Sequence, residues 1–151
     1  MTPKENGRIS GTVTARMAEW AAGLRFEDLS PAALRESKRF LLDSMGCALG
    51  GTLQHDVRIA MEVLDEIAGP GPCTMIGTGK RIDPVSASLA NALMIRVMDY
   101  NDIYWKQDPS HPSDLIPAAM AAAERAGGSG RDLLLGIAPA YEFEQRLFEV
   151  S

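Results

Sequence analysis

The spacing of apolar residues constrains this chain more than any other feature. They recur at three- and four-residue intervals in one segment after another, each opened by a capping residue and closed by glycine or proline, and that period builds amphipathic helices. Ser10 or Thr12 caps a first segment in which Val13, Met17, Trp20, Ala21 and Leu24 share a face, with an end near Gly23. Ser30-Pro31 opens the second, a hydroxyl cap with proline at the first helical position. Leu34, Phe40, Leu41, Met45 and Leu49 form its apolar face; Gly46 is expected to admit a second helix close by, and Gly50-Gly51 to stop the run. A third segment over 57–68 closes at Gly69-Pro70-Gly71-Pro72, the clearest breaker in the chain. Asp83-Pro84 repeats the cap signal and opens a helix through Ser88, Leu89, Leu93 and Val97, whose many small residues predict tight packing inside a bundle. Ser113 or Asp114 then caps a helix to Ala126 that Gly127-Gly128 ends, and Ser129 starts the last, through Leu133, Leu134, Ile137, Tyr141, Phe143, Leu147 and Val150. The expected fold is an all-α multi-helix bundle over residues 10–151 behind a flexible tail at 1–9, with one short extended segment near 73–79.

Composition narrows the function. The net charge of −5 argues against nucleic acid or an anionic membrane surface as a partner. The two cysteines, Cys47 and Cys73, form no CxxC pair and suit a reducing compartment as small buried residues. Residues 1–8 lack the apolar core of a signal peptide, and the longest apolar run, 116–123, contains Pro117 and is too short to span a bilayer. The expectation is a soluble, cytoplasmic protein.

Chemistry concentrates in residues 91–124, where a polar, aromatic segment separates two apolar helices. Asp99 and Asp102 stand at i, i+3 and would share a helical face if the helix through Val97 ran one turn further. Arg96 lies three residues before Asp99, placed to hold its charge or to meet a substrate carboxylate. His111, between Ser110 and Pro112, sits just before a helix start, where an imidazole can act as acid, base or anion donor. The plain alternatives are a solvated helix end for the two aspartates, a cap for Asp114 and a structural turn for His111. Asp99, Asp102, Asp108 and His111 are metal-ligand types, but no HxH, HExxH or calcium-loop pattern accompanies them, and no GxSxG elbow points to hydrolysis. Gly77-Thr-Gly79-Lys80 lacks the full phosphate-loop pattern and reads as a turn. His55 reads as a surface loop residue, and Trp20 and Met17 as a core or interface stripe.

The run Arg96-Val-Met-Asp99-Tyr-Asn-Asp102, followed by His111-Pro-Ser-Asp114 and an alanine-rich helix to Glu124, resembles the MmgE/PrpD family. Leu41-Leu-Asp43-Ser-Met-Gly46-Cys-Ala-Leu-Gly50-Gly51, then Gly77-Thr-Gly79 and residues 87–91, match in the same order. The resemblance implies part of a helical domain that a smaller α+β domain completes, usually in a homodimer, with no metal or organic cofactor. It implies small polycarboxylate substrates and proton removal or delivery beside a carboxylate, as in 2-methylcitrate dehydratase of propionate catabolism. Asp99, Asp102 and His111 fall on the family's catalytic motif, and Arg96, Tyr100 and Asn101 on its substrate-binding lining. Ile103 stands where decarboxylase-like members carry a hydroxyl residue, which points to a dehydratase-type hydro-lyase over a cis-aconitate decarboxylase-like or iminodisuccinate epimerase-like activity. Family members are much longer, so the enzymatic expectation is an N-terminal part completed by a C-terminal chain or in a homo-oligomer. The alternative is a non-catalytic helical module whose apolar edge, left by residues 147–151, self-associates or binds a partner chain.

Overall fold

A computed structural model describes residues 11–149; the expected tail at 1–9, the cap at Ser10 and the helical end at Val150 lie outside the described residues. Six α-helices account for most of these residues: α1 Val13–Gly23, α2 Pro31–Gly51, α3 His55–Ile67, α4 Pro84–Arg96, α5 Ile116–Arg125 and α6 Gly130–Phe148. Among the described residues two short antiparallel pairs, β1 Pro70–Thr74 with β2 Arg81–Ile82 and β3 Tyr104–Trp105 with β4 Pro109–Ser110, and two 3-10 turns join them. The all-α reading holds.

Local chemistry explains most helix starts. Thr12, Ser30 and Ser129 each accept a backbone N–H in the first turn of α1, α2 and α6, and Asp83 accepts two at the start of α4. Gly127, at φ 64°, ends α5: its N–H reaches the Glu124 carbonyl and the Gly128 N–H the Ala123 carbonyl, the double bond of a left-handed helix stop.

Helix α4 is the centre of the molecule and packs most extensively against α2 and α5. Its Ala87, Ala90, Met94 and Ile95 are buried in one cluster with Cys47 and Ala48 of α2, Val57 and Leu64 of α3, and Cys73, Met75 and Ile76 around β1. Burying a side chain the size of Met94 or Ile95 contributes about 1.5–3 kcal/mol. A second cluster joins Ile116, Ile137 and Tyr141, with Phe40 and Leu41 packed against it.

Several expectations change. The glycine that admits a neighbouring helix is Gly51, where a Cβ would stand 2.0 Å from the Met94 carbonyl oxygen; Gly46 faces open space. The Gly69–Pro72 breaker ends α3, but Pro70 and Pro72 then enter strand β1, earlier than the extended piece expected near 73–79. Proline is tolerated there because β1 has only one strand neighbour and its register is irregular between Pro70 and Cys73. Side chains from two helices hold this strand: Asn91 accepts from Ile76 N at 2.9 Å and donates to Thr74 O at 2.9 Å, and Glu124 accepts from Thr74 N at 2.7 Å. His55 is the exposed first residue of α3, not a loop residue. Neither Ser113 nor Asp114 caps α5. Both lie in a 3-10 turn, Pro112–Leu115, that precedes it.

Gly51→Ala is expected to lower stability by about 1–3 kcal/mol through overpacking. Gly46→Ala, in an exposed helix interior with room for the methyl group, should raise it by about 0.5–1 kcal/mol. Urea unfolding midpoints that move together would contradict this assignment of the close approach.

Candidate active site at the C-terminal end of helix α4

Helix α4 does not continue past Arg96 and Val97. The chain turns there, with the Asp99 N–H bonded to the Arg96 carbonyl at 2.9 Å, and Asp99 takes φ 51°, a left-handed conformation that aspartate tolerates better than most residues. Asp99 and Asp102 therefore do not share a helical face as a continued turn would require. Asp99 points outward, its side chain 76 % exposed and ion-paired with Arg96. Asp102 is turned inward.

The small β3–β4 hairpin pairs Tyr104 with Ser110 and so returns the chain beside Asp102. His111 follows directly. Its Nδ1 lies 2.6 Å from the Asp102 backbone carbonyl oxygen. A carbonyl can only accept, so Nδ1 carries the proton and Nε2 the lone pair. One Asp102 carboxylate oxygen accepts from Ser113 N at 3.1 Å and the other from the Tyr141 hydroxyl at 2.8 Å. Asn101, buried, donates to the Ser113 hydroxyl at 2.8 Å. Arg96 reaches three ways, to Asp99, to Asn101 Oδ1 at 3.4 Å and to Asp114 at 3.9 Å.

The carboxyl groups of this region divide by environment. The Arg96 guanidinium holds the Asp99 carboxyl below the usual carboxylate range, with His111 adding a smaller effect. Burial pushes Asp114 up, opposed by Arg96 and His111. Burial likewise pushes up Glu144 of α6, which also feels Asp114, Asp102 and His111. Burial, then the neighbouring Asp102, raises the Tyr141 phenol, so it stays protonated and a donor. Ser110 beside them is buried, and its hydroxyl makes no hydrogen bond of ordinary geometry, although Glu144 lies near enough for it to temper that carboxyl.

Arg96, Asp99, Asn101, Asp102 and His111 thus come together, while Tyr100 does not join them. It is 81 % exposed and lines a cleft of about 310 Å³ with Asp43, Gly46, Cys47 and Met98. Arg96 borders a different cleft of about 280 Å³ with Asp56, Val57, Leu93 and Val97. A larger cleft, about 580 Å³, runs between α4 and α5 over Val85, Ala118, Ala121 and Ala122, and neither His111 nor Asp102 lines it. Asp108 is exposed on the hairpin. Among the described residues no three histidine, cysteine or acidic side chains gather as a metal cage requires, and no described helix is long and apolar enough to cross a membrane.

Tyr141, Glu144 and the inward role of Ser113 escaped the sequence reading. Tyr141 was expected only as part of the apolar face of α6. A phenol in such a stripe needs a buried partner for its hydroxyl, and that was the available signal.

An all-helical domain with an imidazole and carboxylates gathered at the end of its central helix is the class of molecule defined here. Residues 15–151 match the MmgE/PrpD N-terminal domain, and the chain belongs to the MmgE/PrpD family. A cis-aconitate decarboxylase-like protein of Aspergillus oryzae is 30% identical over 145 residues, covering 91% of this chain and 30% of that protein. Human cis-aconitate decarboxylase is 29% identical across 93% of this chain and 30% of its own length. The mitochondrial 2-methylcitrate dehydratase of Yarrowia lipolytica is 28% identical over 127 residues, 76% of this chain and 24% of that enzyme. The chain therefore spans less than a third of each of these relatives.

Asp102→Ala orphans the buried Tyr141 hydroxyl and is expected to cost about 1–3 kcal/mol of stability. Asp99→Asn, which keeps a residue type that tolerates the left-handed backbone, removes only an exposed ion pair and should leave the unfolding midpoint nearly unchanged. Thermal unfolding of both variants at neutral pH checks this; the reverse order would refute the inward and outward assignment. Glu144→Gln should gain stability relative to the native chain as pH rises through the carboxylate range. A carboxyl with a raised folded pKa binds more protons folded than unfolded, so its ionisation lowers native stability over that window. Parallel pH–stability curves would show that Glu144 is not destabilised by burial.

Proposed function

We propose that this chain is the N-terminal helical part of a lyase acting on a small polycarboxylate, with a hydro-lyase of the 2-methylcitrate dehydratase type as the preferred member. The observation that carries the reading is the His111 imidazole, anchored through Nδ1 to the Asp102 carbonyl and so left with its lone pair on Nε2, beside an Asp99 carboxylate that feels both Arg96 and His111. The relatives named as dehydratase and decarboxylases support lyase chemistry in general, and Ile103 in place of a hydroxyl residue favours dehydration.

In the proposed elimination Nε2 of His111 removes the proton on the carbon beside a substrate carboxylate. The C–H electron pair forms the double bond, and the hydroxyl on the adjacent carbon leaves as water with a proton from an acid. Arg96 holds a substrate carboxylate and steadies the charge that develops. Asp99, kept ionised by Arg96, supports the imidazolium that forms, and Asp102 orients the ring. Asp114, raised by burial, is a carboxyl more readily protonated than an ordinary one and adds a candidate acid beside His111. Carboxylates outnumber cations here, so a polycarboxylate needs further positive charge from outside these residues, supplied by a second copy or by the remainder of a longer protein.

A second reading, a non-catalytic module that associates through its surface, has its own observation. Ile59, Val63 and Ile67 of α3 and Val85 and Leu89 of α4 are each about half exposed or more and repeat every four residues. Citrate-like ligands separate the two readings, because a formed site raises the melting temperature on binding and a bare module shows no shift at millimolar ligand.

His111→Ala in the complete enzyme is expected to lower turnover at least about 10²-fold while the protein still folds, and near-normal turnover would sink the assignment. Water loss to an unsaturated tricarboxylate supports the dehydratase; release of carbon dioxide instead would place the protein with the decarboxylases.

A further inference from the structure

The geometry points to Tyr141 as the positioning residue for His111, acting through Asp102. This inference rests on the reading that His111 moves a proton.

Residues 97–103 lie between helix α4 and strand β3 and belong to no regular element, so the place of the Asp102 carbonyl must be set by side-chain contacts. Asn101 supplies one anchor to Ser113. Asp102 supplies the other, with Ser113 N on one carboxylate oxygen and the Tyr141 hydroxyl on the second. Two donors from different elements fix the plane of the carboxylate, and with it the adjoining backbone carbonyl that His111 Nδ1 addresses at 2.6 Å.

Tyr141 is suited to this work. Its ring is 7 % exposed and stacks on Phe40 of α2 with centroids 4.7 Å apart and planes 26° from parallel. A ring so held has little freedom to swing its hydroxyl away, and burial keeps that hydroxyl protonated. The consequence is chemical as well as structural. While the carbonyl of Asp102 is in place, the proton of neutral His111 stays on Nδ1 and Nε2 remains the base. Without the hydroxyl, the second carboxylate oxygen loses its buried donor and the carboxylate is released to rotate. The imidazole can then share its proton between its two nitrogens.

The test is the tautomer of His111, read from ring ¹⁵N shifts in long-range ¹⁵N–¹H spectra of the full chain carrying His55→Ala, which leaves a single imidazole. The native spectrum should show the Nδ1-protonated form, and Tyr141→Phe, which keeps the stacked ring, should move both nitrogens towards a mixed pattern. Asp102→Ala removes the same contact from the other side and should give the same change, which keeps the test open if Tyr141→Phe does not fold. Phe40→Leu loosens the stack but keeps the hydroxyl; it should lower the melting temperature and shift the ¹⁵N pattern less than Tyr141→Phe does. An Nε2-protonated native ring, an unchanged pattern in Tyr141→Phe, or an equal change in Phe40→Leu would each overturn the proposal. None of these outcomes depends on catalysis. Absence of both elimination and decarboxylation by the complete enzyme would overturn the lyase reading and leave the tautomer result standing.

Discussion

Helix α4 can occupy the centre of this molecule because Gly51 has no side chain. The backbone of α2 comes so near the Met94 carbonyl there that even a methyl group would collide, and the rest of the packing follows from that approach. Ala87 and Ala90 keep the other faces of α4 narrow, so α2, α3 and α5 close around it, and Asn91 reaches out to satisfy the backbone of the strand beside it. A buried asparagine with both ends bonded specifies one register for that strand, where an apolar residue would specify none. The site inherits this rigidity, since Arg96 is the last residue of α4 and the chain that carries Asp99 and Asp102 leaves from it.

Electrostatics then divides groups that are chemically alike. Asp99 and Asp114 both face Arg96, yet the more exposed one is held ionised and the other, 45 % exposed, is pushed towards its protonated form. The first feels mainly the guanidinium; the second feels mainly the loss of water. Carboxyls driven apart in this way are what a reaction that must both take and give a proton can use. Asp102, with both oxygens occupied by donors, is withdrawn from that exchange and serves geometry instead.

Local signals were legible wherever the physics was local. Ser30-Pro31, Asp83-Pro84 and Ser129 mark helix starts because a cap bonds within its own first turn, and Gly127 marks an end because only a left-handed residue closes that turn cheaply. The same logic failed at Ser113. Its hydroxyl accepts from Asn101, twelve residues away in the chain, and capping lost to that buried contact. The Gly69–Pro72 segment reads as a breaker, which it is, and its continuation as a strand depends on Arg81, Ile82, Asn91 and Glu124, none of which is a neighbour in sequence. Gly46 and Gly51 look equivalent in the motif, and only the packed helices show which one faces a backbone. The polar segment drew attention to Arg96, Asp99, Asn101, Asp102 and His111 together, and they are together, but Tyr100 faces another cleft and Tyr141 arrives from a helix that sequence reading treated as purely apolar.

By itself the sequence determined the helical class, most helix starts and the order of family motifs, because apolar period and capping act over one or two turns. Tertiary structure alone decided where α4 stops, which aspartate turns inward and which nitrogen of His111 is left basic. Those outcomes rest on contacts between residues 9 and 39 positions apart, and no pattern within a few turns of chain encodes which distant donor will be there to meet a carboxylate.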